Sequence, residues 1–275
     1  MRISAGYEIT FDCPAPTPML LQLSVHPSRV GDLETSDVMV TDPMVSVSQY
    51  HDLFGNFVSR ILAPAGRIVL RNRFVIRDSG AHDAPLPEAG QLPVEDLPDD
   101  VVLYLLGSRY CETDQLSNLA WTLFGGVAPG SARVQAILDY VHRHITFGYE
   151  HARATKTALE AHEEQFGVCR DFAHLAITLC RCMNIPARYC TGYLGDIGVP
   201  ISPAPMDFSA WFEVYLDGAW RTCDARHNTP RIGRVLMARG RDATDAAIST
   251  AFGTAFLAGF MVITDELPER QSASL

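Results

Sequence analysis

The sequence predicts an α+β fold, and three observations predict it. The first third carries short β-like runs broken by prolines. Apolar residues recur at three- and four-residue spacing after residue 100, and the segment from Phe172 to Met183 is apolar on nearly every face of a helix. At 275 residues, 47% of them hydrophobic, the chain can fill one large core or two ordinary ones, and two are expected.

From Ile3 to Asp78 the β-like runs are Tyr7 to Phe11, Leu20 to Val25, Asp37 to Val40, Phe57 to Leu62 and Ile68 to Ile76. Pro14, Pro16, Pro18, Pro27, Pro43 and Pro64 punctuate them, and Gly55-Asn56 offers a tight turn. A β-sandwich over residues 1–78 is expected, with no chemistry in it, since His26 and His51 have no recognisable partners. Residues 79–100 hold Gly80, Pro85, Pro87, Gly90, Pro93 and Pro98 among acidic residues, the composition of a linker with a loose or extended path. A second unit is expected over 101–265, followed by a tail at 266–275.

Helical spacing marks Asp114 to Phe124 and Ser131 to Ile145, the latter through Val134, Ile137, Leu138, Val141 and Ile145. A short helix from Thr157 to Glu164 leads into Gly167-Val168-Cys169. The all-apolar helix follows, and such a helix is buried. Its first turn would aim free N–H groups and the positive dipole end at Cys169, lowering the thiol pKa and offering an oxyanion site. Cys169 is thus either a nucleophile or one more buried cysteine, and the glycine turn and buried helix favour the nucleophile. Asn184-Ile185-Pro186 stops the helix, Ala187 to Leu194 reads as a strand, and a Gly- and Pro-containing loop runs from Gly195 to Pro205.

Ala210 to Leu216 and Trp220 to Asp224 are β-like runs joined by Asp217-Gly218, a two-residue hairpin signal. That turn sets Leu216 opposite Ala219, Tyr215 opposite Trp220 and Trp211 opposite Asp224. Positions 209, 211 and 213 share a face. Asp224 is then a diagonal neighbour of position 209, roughly 7–8 Å away, so a histidine at 209 would be oriented by Asp224 and presented to Cys169. Position 209 is a serine.

Three blocks in order resemble the transglutaminase-like cysteine protease superfamily: Gly167-Val168-Cys169-Arg170-Asp171, the strand Ala210-Trp211-Phe212-Glu213-Val214, and Asp224-Ala225-Arg226-His227-Asn228. The resemblance is to its bacterial branch, in which a β-rich N-terminal region precedes the core. It implies a papain-like core with Cys169 as nucleophile, Asp224 as orienting carboxylate and a general-base histidine in the place of Ser209. Trp211 would sit close to the reacting groups. Ser209 departs from this pattern, and a serine does not serve as a base near neutral pH.

Among substitutes, His174 lies about 140° round the helix from Cys169 and points elsewhere. His227 is of opposite strand parity to Asp224 unless a loop turns it back. His151 and His162 would line the cleft or sit at the surface. Tyr149 and Gln165 are candidates for an oxyanion donor or cleft wall. Asp171 reads as a catalytic acid or a helix-start carboxylate, and Arg170 as a partner for Glu213 or for a substrate carboxylate.

A formal net charge of −10 without a basic cluster argues against nucleic acid and anionic membranes as partners. Met1 to Tyr7 lacks the apolar run of a signal peptide and Ala255 to Ile263 is too short to span a bilayer, so a cytoplasmic location is expected. Seven cysteines, odd in number and without a CxxC pair, fit reduced thiols. No zinc site, calcium loop or organic cofactor is expected. The expectation is an amidohydrolase or peptidase scaffold acting on a peptide or small amide through Cys169, of low activity unless another base moves in. The alternative is a disarmed peptide-binding or regulatory protein on the same fold. Oligomeric state is not set by the sequence.

Overall fold

The computed structural model describes residues 1–268. Its first third is built of β1 (Arg2–Cys13), β2 (Thr17–Leu21), β3 (Val40–Asp42), β4 (Ser48–His51), β5 (Phe57–Ala63) and β6 (Gly66–Arg77). The helical part comprises α1 (Asp99–Val102), α2 (Thr113–Phe124), α3 (Ser131–His144), the short β7 (Thr146–Phe147), α4 (Ala158–Glu164), β8 (Phe166–Gly167) and α5 (Cys169–Cys182). The remainder is β9 (Ala187–Tyr193), β10 (Ser209–Leu216), β11 (Ala219–Cys223), β12 (Val235–Gly240), β13 (Ser249–Ala251) and β14 (Phe256–Leu267).

The β-rich N-terminal region is two four-stranded sheets, ordered β14-β1-β6-β3 and β13-β2-β5-β4. Strand alternation sends Ile3, Ala5, Tyr7, Ile9 and Phe11 of β1 into one shared core with Met19, Leu21, Ile61, Leu70 and Phe74. Each fully buried side chain of this size contributes about 1.5–3 kcal/mol. Both sheets take a strand from the far end of the chain, since β14 pairs antiparallel with β1 and β13 with β2. The 101–265 segment therefore does not keep its last strands to itself. From residue 269 the expected tail lies outside the described residues, and Glu266 and Leu267 belong to β14.

Two of the expected strands are displaced for an identifiable reason. The Leu20 to Val25 run leaves the sheet after Leu21, and the Asp37 to Val40 run becomes a strand only from Val40. The Asp37 carboxylate accepts from the Val25 N–H at 2.6 Å and from Asn72, so it replaces a ladder with side-chain bonds. Residues 79–93 are largely without regular structure, Val94–Asp96 form a 3₁₀ turn and α1 begins at Asp99, and the segment is tied down. Asp83 accepts from Arg231 N and Arg234 Nε at 3.0 and 2.8 Å, Ala89 and Ser131 exchange hydrogen bonds, and Gln91 donates to Met183 O and Asn184 O.

At the centre lies α5. It packs against β9 and β10 of the sheet β11-β10-β9-β12 and against α2, α3 and α4. Phe172, Ala173, Leu175, Ala176, Ile177 and Leu179 are all buried, as the all-round apolar pattern requires. The largest buried polar side chain of α5 is Arg181, only 2% exposed, whose guanidinium donates to Ala187 O, Leu106 O, Ser108 Oγ and Arg241 O. Asn184 at φ 59° ends the helix before Pro186.

Candidate active site

The hairpin β10–β11 has the register its Asp-Gly turn dictates: Leu216 opposite Ala219, Tyr215 opposite Trp220, Phe212 opposite Cys223. β11 stops there, while β10 continues back to Ser209 and pairs on its other side with Gly192 of β9. The β10 edge before Phe212 is thus free on the β11 side. Into that space comes the head of α5. The Phe208 carbonyl oxygen lies 4.0 Å from Cys169 Sγ.

Two residues shape the approach to Cys169. Asp171 Oδ2 accepts from Val168 N at 2.9 Å, satisfying one free N–H at the helix start. Gly167 is required by that carboxylate, because a Cβ there would stand 2.7 Å from Asp171 Cβ and Oδ2. Asp171 is therefore the helix-start carboxylate. Its neighbour Arg170 pairs with Asp171 and donates to Arg153 O, whereas Glu213 is held by Arg188 at 2.6 Å and by Arg239. The expected Arg170–Glu213 pair is not formed, since each residue is engaged by other partners.

The electrostatics of Cys169 run opposite to the expected activation. Burial pushes its thiol up to about 11, and the Asp207 and Asp224 carboxylates add to the rise against the opposing pull of Arg226 and the Ala210 N–H. Desolvation outweighs the helix end, so at neutral pH Cys169 is a thiol. Asp207, itself raised by burial, and Arg226, whose guanidinium lies 3.7 Å from the Phe147 ring centroid, were not singled out by the sequence. Arg226 was legible inside the block after Asp224. Asp207 sits in irregular chain before β10 and carried no signal.

Asp224 follows the end of β11 and is buried. It accepts from the His227 backbone N at 3.1 Å, from His227 Nδ1 at 2.8 Å and from Arg234 Nη2 at 2.8 Å. Burial alone would raise its carboxyl, but the His227 hydrogen bond and the Arg234 charge outweigh it and hold the group well below the usual carboxylate range. The chain turns after Asp224, with Asn228 N bonded back to Asp224 O, and this return brings the His227 ring to the carboxylate despite its parity.

His227 and Ser209 line one cavity of about 260 Å³, together with Tyr149, Asp207, Phe208 and Arg226. Ser209 is 5% exposed and its Oγ has no hydrogen-bond partner among the described residues. Gln165 is exposed at the end of α4 with φ 60° and is not among the residues lining this cavity. Trp211 faces a different cavity, with its ring 5.1 Å from the Arg234 guanidinium. The other histidines are engaged elsewhere. His174 is fully buried, accepts from Ala243 N and stacks on Tyr110, His162 stacks on His144, and His151 lies against Phe166. Among the described residues no group of three or more His, Cys, Asp or Glu is arranged to hold a metal, and no helix is long and apolar enough to cross a membrane.

A cysteine thus heads a buried helix docked on a strand, and the hairpin partner of that strand is followed by an aspartate bound to a histidine. Residues 117–225 match the family described as the transglutaminase-like superfamily, and the resemblance read from the sequence holds. The chain is similar to a crystal structure of a candidate cysteine protease from Cytophaga hutchinsonii, at 29% identity and a TM-score of 0.84, over 99% of this chain and 92% of that one. It is also 31% identical, over 93 residues, to an uncharacterised protein of Mycobacterium leprae, a match spanning 33% of this chain and 33% of that relative's length. The periplasmic domain of TgpA from Pseudomonas aeruginosa shows a slighter likeness, with 17% identity, a TM-score of 0.41 and coverage of 80% and 75%.

Proposed function

We propose that this chain is a cysteine-dependent hydrolase of a peptide or small amide, with Cys169 as the nucleophile. The observation that supports it is the seat of the sulfur. Cys169 lies between the free N–H groups of α5 and the unpaired edge of β10, next to a cavity walled by Tyr149, Phe208 and Arg226. In the reaction Sγ attacks the carbonyl carbon, the amine leaves, and water resolves the thioester. The test is release of 4-nitroaniline from a panel of short peptide anilides, comparing the chain with Cys169→Ala and Ser209→His. Release that vanishes in Cys169→Ala supports the reading. No release from the chain or from Ser209→His removes it.

A second reading, a peptide-binding protein without turnover, is favoured by the thiol at about 11 and by the serine at 209. It predicts anilide release from Ser209→His alone.

A further inference from the structure

The His227 imidazole lines the cavity together with Ser209 and Phe208, whose carbonyl lies 4.0 Å from Cys169 Sγ, and its anchoring exceeds what a surface histidine needs. Asp224 grips His227 twice, through the backbone N and through Nδ1, while Arg234 holds the same carboxylate from the other side. A carboxylate only accepts, so Nδ1 carries the proton of this bond, and in the neutral ring Nε2 then carries the lone pair. That is the tautomer a base needs. Nε2 makes no hydrogen bond among the described residues, and the ring is 21% exposed on the cavity side it shares with Ser209. Ser209, which lines the same cavity, has a buried Oγ without a hydrogen-bond partner among the described residues.

We infer that His227, oriented by Asp224, is the catalytic base of this site and takes over the task that position 209 does not perform. The inference rests on the proposed cysteine hydrolase reading. In the acylation step Nε2 accepts the Sγ proton as the S–C bond forms and the carbonyl π pair moves to oxygen. The carbonyl re-forms, the C–N bond breaks, and Nε2–H gives its proton to the leaving amine. Water then attacks the thioester carbonyl while Nε2 takes one of its protons. The C–S bond breaks, and that proton returns to sulfur, leaving free acid and the starting thiol. Arg234 stays with Asp224 throughout and balances the carboxylate while His227 is neutral.

The test uses p-nitrophenyl acetate on the full chain, with the acetyl group located on Cys169 by peptide mass and the burst rate read at pH 7. His227→Asn keeps an N–H where Nδ1 donates to Asp224 but offers no base. It should slow Cys169 acetylation by 10²-fold or more, the scale of a lost general base. Free imidazole should return part of the rate to His227→Asn, and adding Ser209→His to His227→Asn should restore it. His151→Ala, away from the cavity, should match the parent. Equal rates for the parent and His227→Asn, with a gain only in Ser209→His, overturn the role of His227 and leave the hydrolase scaffold standing. An unacetylated Cys169 in every variant, Ser209→His included, overturns the hydrolase reading itself. Thermal melts of each variant exclude unfolding as the cause of a lost burst.

Discussion

Replacing Asp224 by asparagine removes a buried negative charge while keeping the side chain's shape. The carboxylate accepts three hydrogen bonds, two of them charge-assisted or to a ring nitrogen at 2.8 Å. Breaking a buried ion pair costs about 3–5 kcal/mol. Here Arg234 keeps Asp83 at 2.8 Å and the new amide oxygen still accepts one bond, which places the loss near the lower end, at about 3 kcal/mol. The assay is urea unfolding at pH 7, where the midpoint should fall at unchanged slope. The pH dependence gives a second reading. The folded-state carboxyl is held below its ordinary value of about 3.9, so its stabilisation is complete above that value and is lost as the pH falls towards the folded one. Parent and variant should therefore converge in acid. Combining Asp224→Asn with Arg234→Met should cost less than the sum of the single changes, because the two share one interaction. A loss under about 1 kcal/mol at pH 7, or additivity within about 0.5 kcal/mol, would falsify the coupling.

Other outcomes follow from the packing. Arg181→Lys leaves several buried carbonyls without the donors that a guanidinium fork supplies, and should lower stability by about 3 kcal/mol in urea, with a loss under about 1 kcal/mol as the contrary result. Gly192→Ala sets a Cβ 2.1 Å from Val235 O between β9 and β12, so the strands must part. A cost of about 1–3 kcal/mol is expected, and an unshifted melt would contradict the register. Burial lowers His26 to about 4, with Arg239 and Arg188 adding to it, and burial also lowers His174. Both folded values lie below the unfolded value of about 6.5, so their stabilisation is present above about 6.5 and drains away on acidification. Melting temperature should drop from pH 7 to pH 5, with up to about 1.4 kcal/mol per pH unit from each ring, and a flat profile would count against it. Limited iodoacetamide on the folded chain should label Cys169 slowly and ahead of the six fully buried cysteines. Prior labelling of Cys180 or Cys190 would contradict the burial.

Much of this site was legible because local patterns carried it. The Asp217-Gly218 turn fixed the pairing of β10 with β11 as far as Phe212 and Cys223, though β11 stops there and the expected Trp211–Asp224 pair does not form, and the all-round apolar segment located α5 and hence Cys169. What was not legible depended on balance or on distance. The helix end argued for a thiolate, but whether a dipole outweighs desolvation depends on how deeply the sulfur is enclosed, and only the fold sets that. The ring of His227 reaches Asp224 through a loop that strand parity does not describe. β12 was missed because its apolar residues run together without alternation, and β14 because the segment's partner, β1, lies at the other end of the chain.

That last pairing fixes an order of events. β1 is flanked by β6 and β14, with Arg2 matched to both Arg77 and Leu267. During synthesis β6 emerges early, whereas β14 arrives only after the helices and the sheet between them have been made, about ten to forty seconds later. In that interval one side of β1 is an open ladder of N–H and C=O groups, a template for pairing with another nascent chain. The strands of the sheet β11-β10-β9-β12, whose Tyr193 and the neighbouring Phe208 reach into the N-terminal core, are made before the strand that closes this edge. The half that carries Cys169 thus comes to rest on an unfinished platform, and the last strand to be made is the latch that completes it.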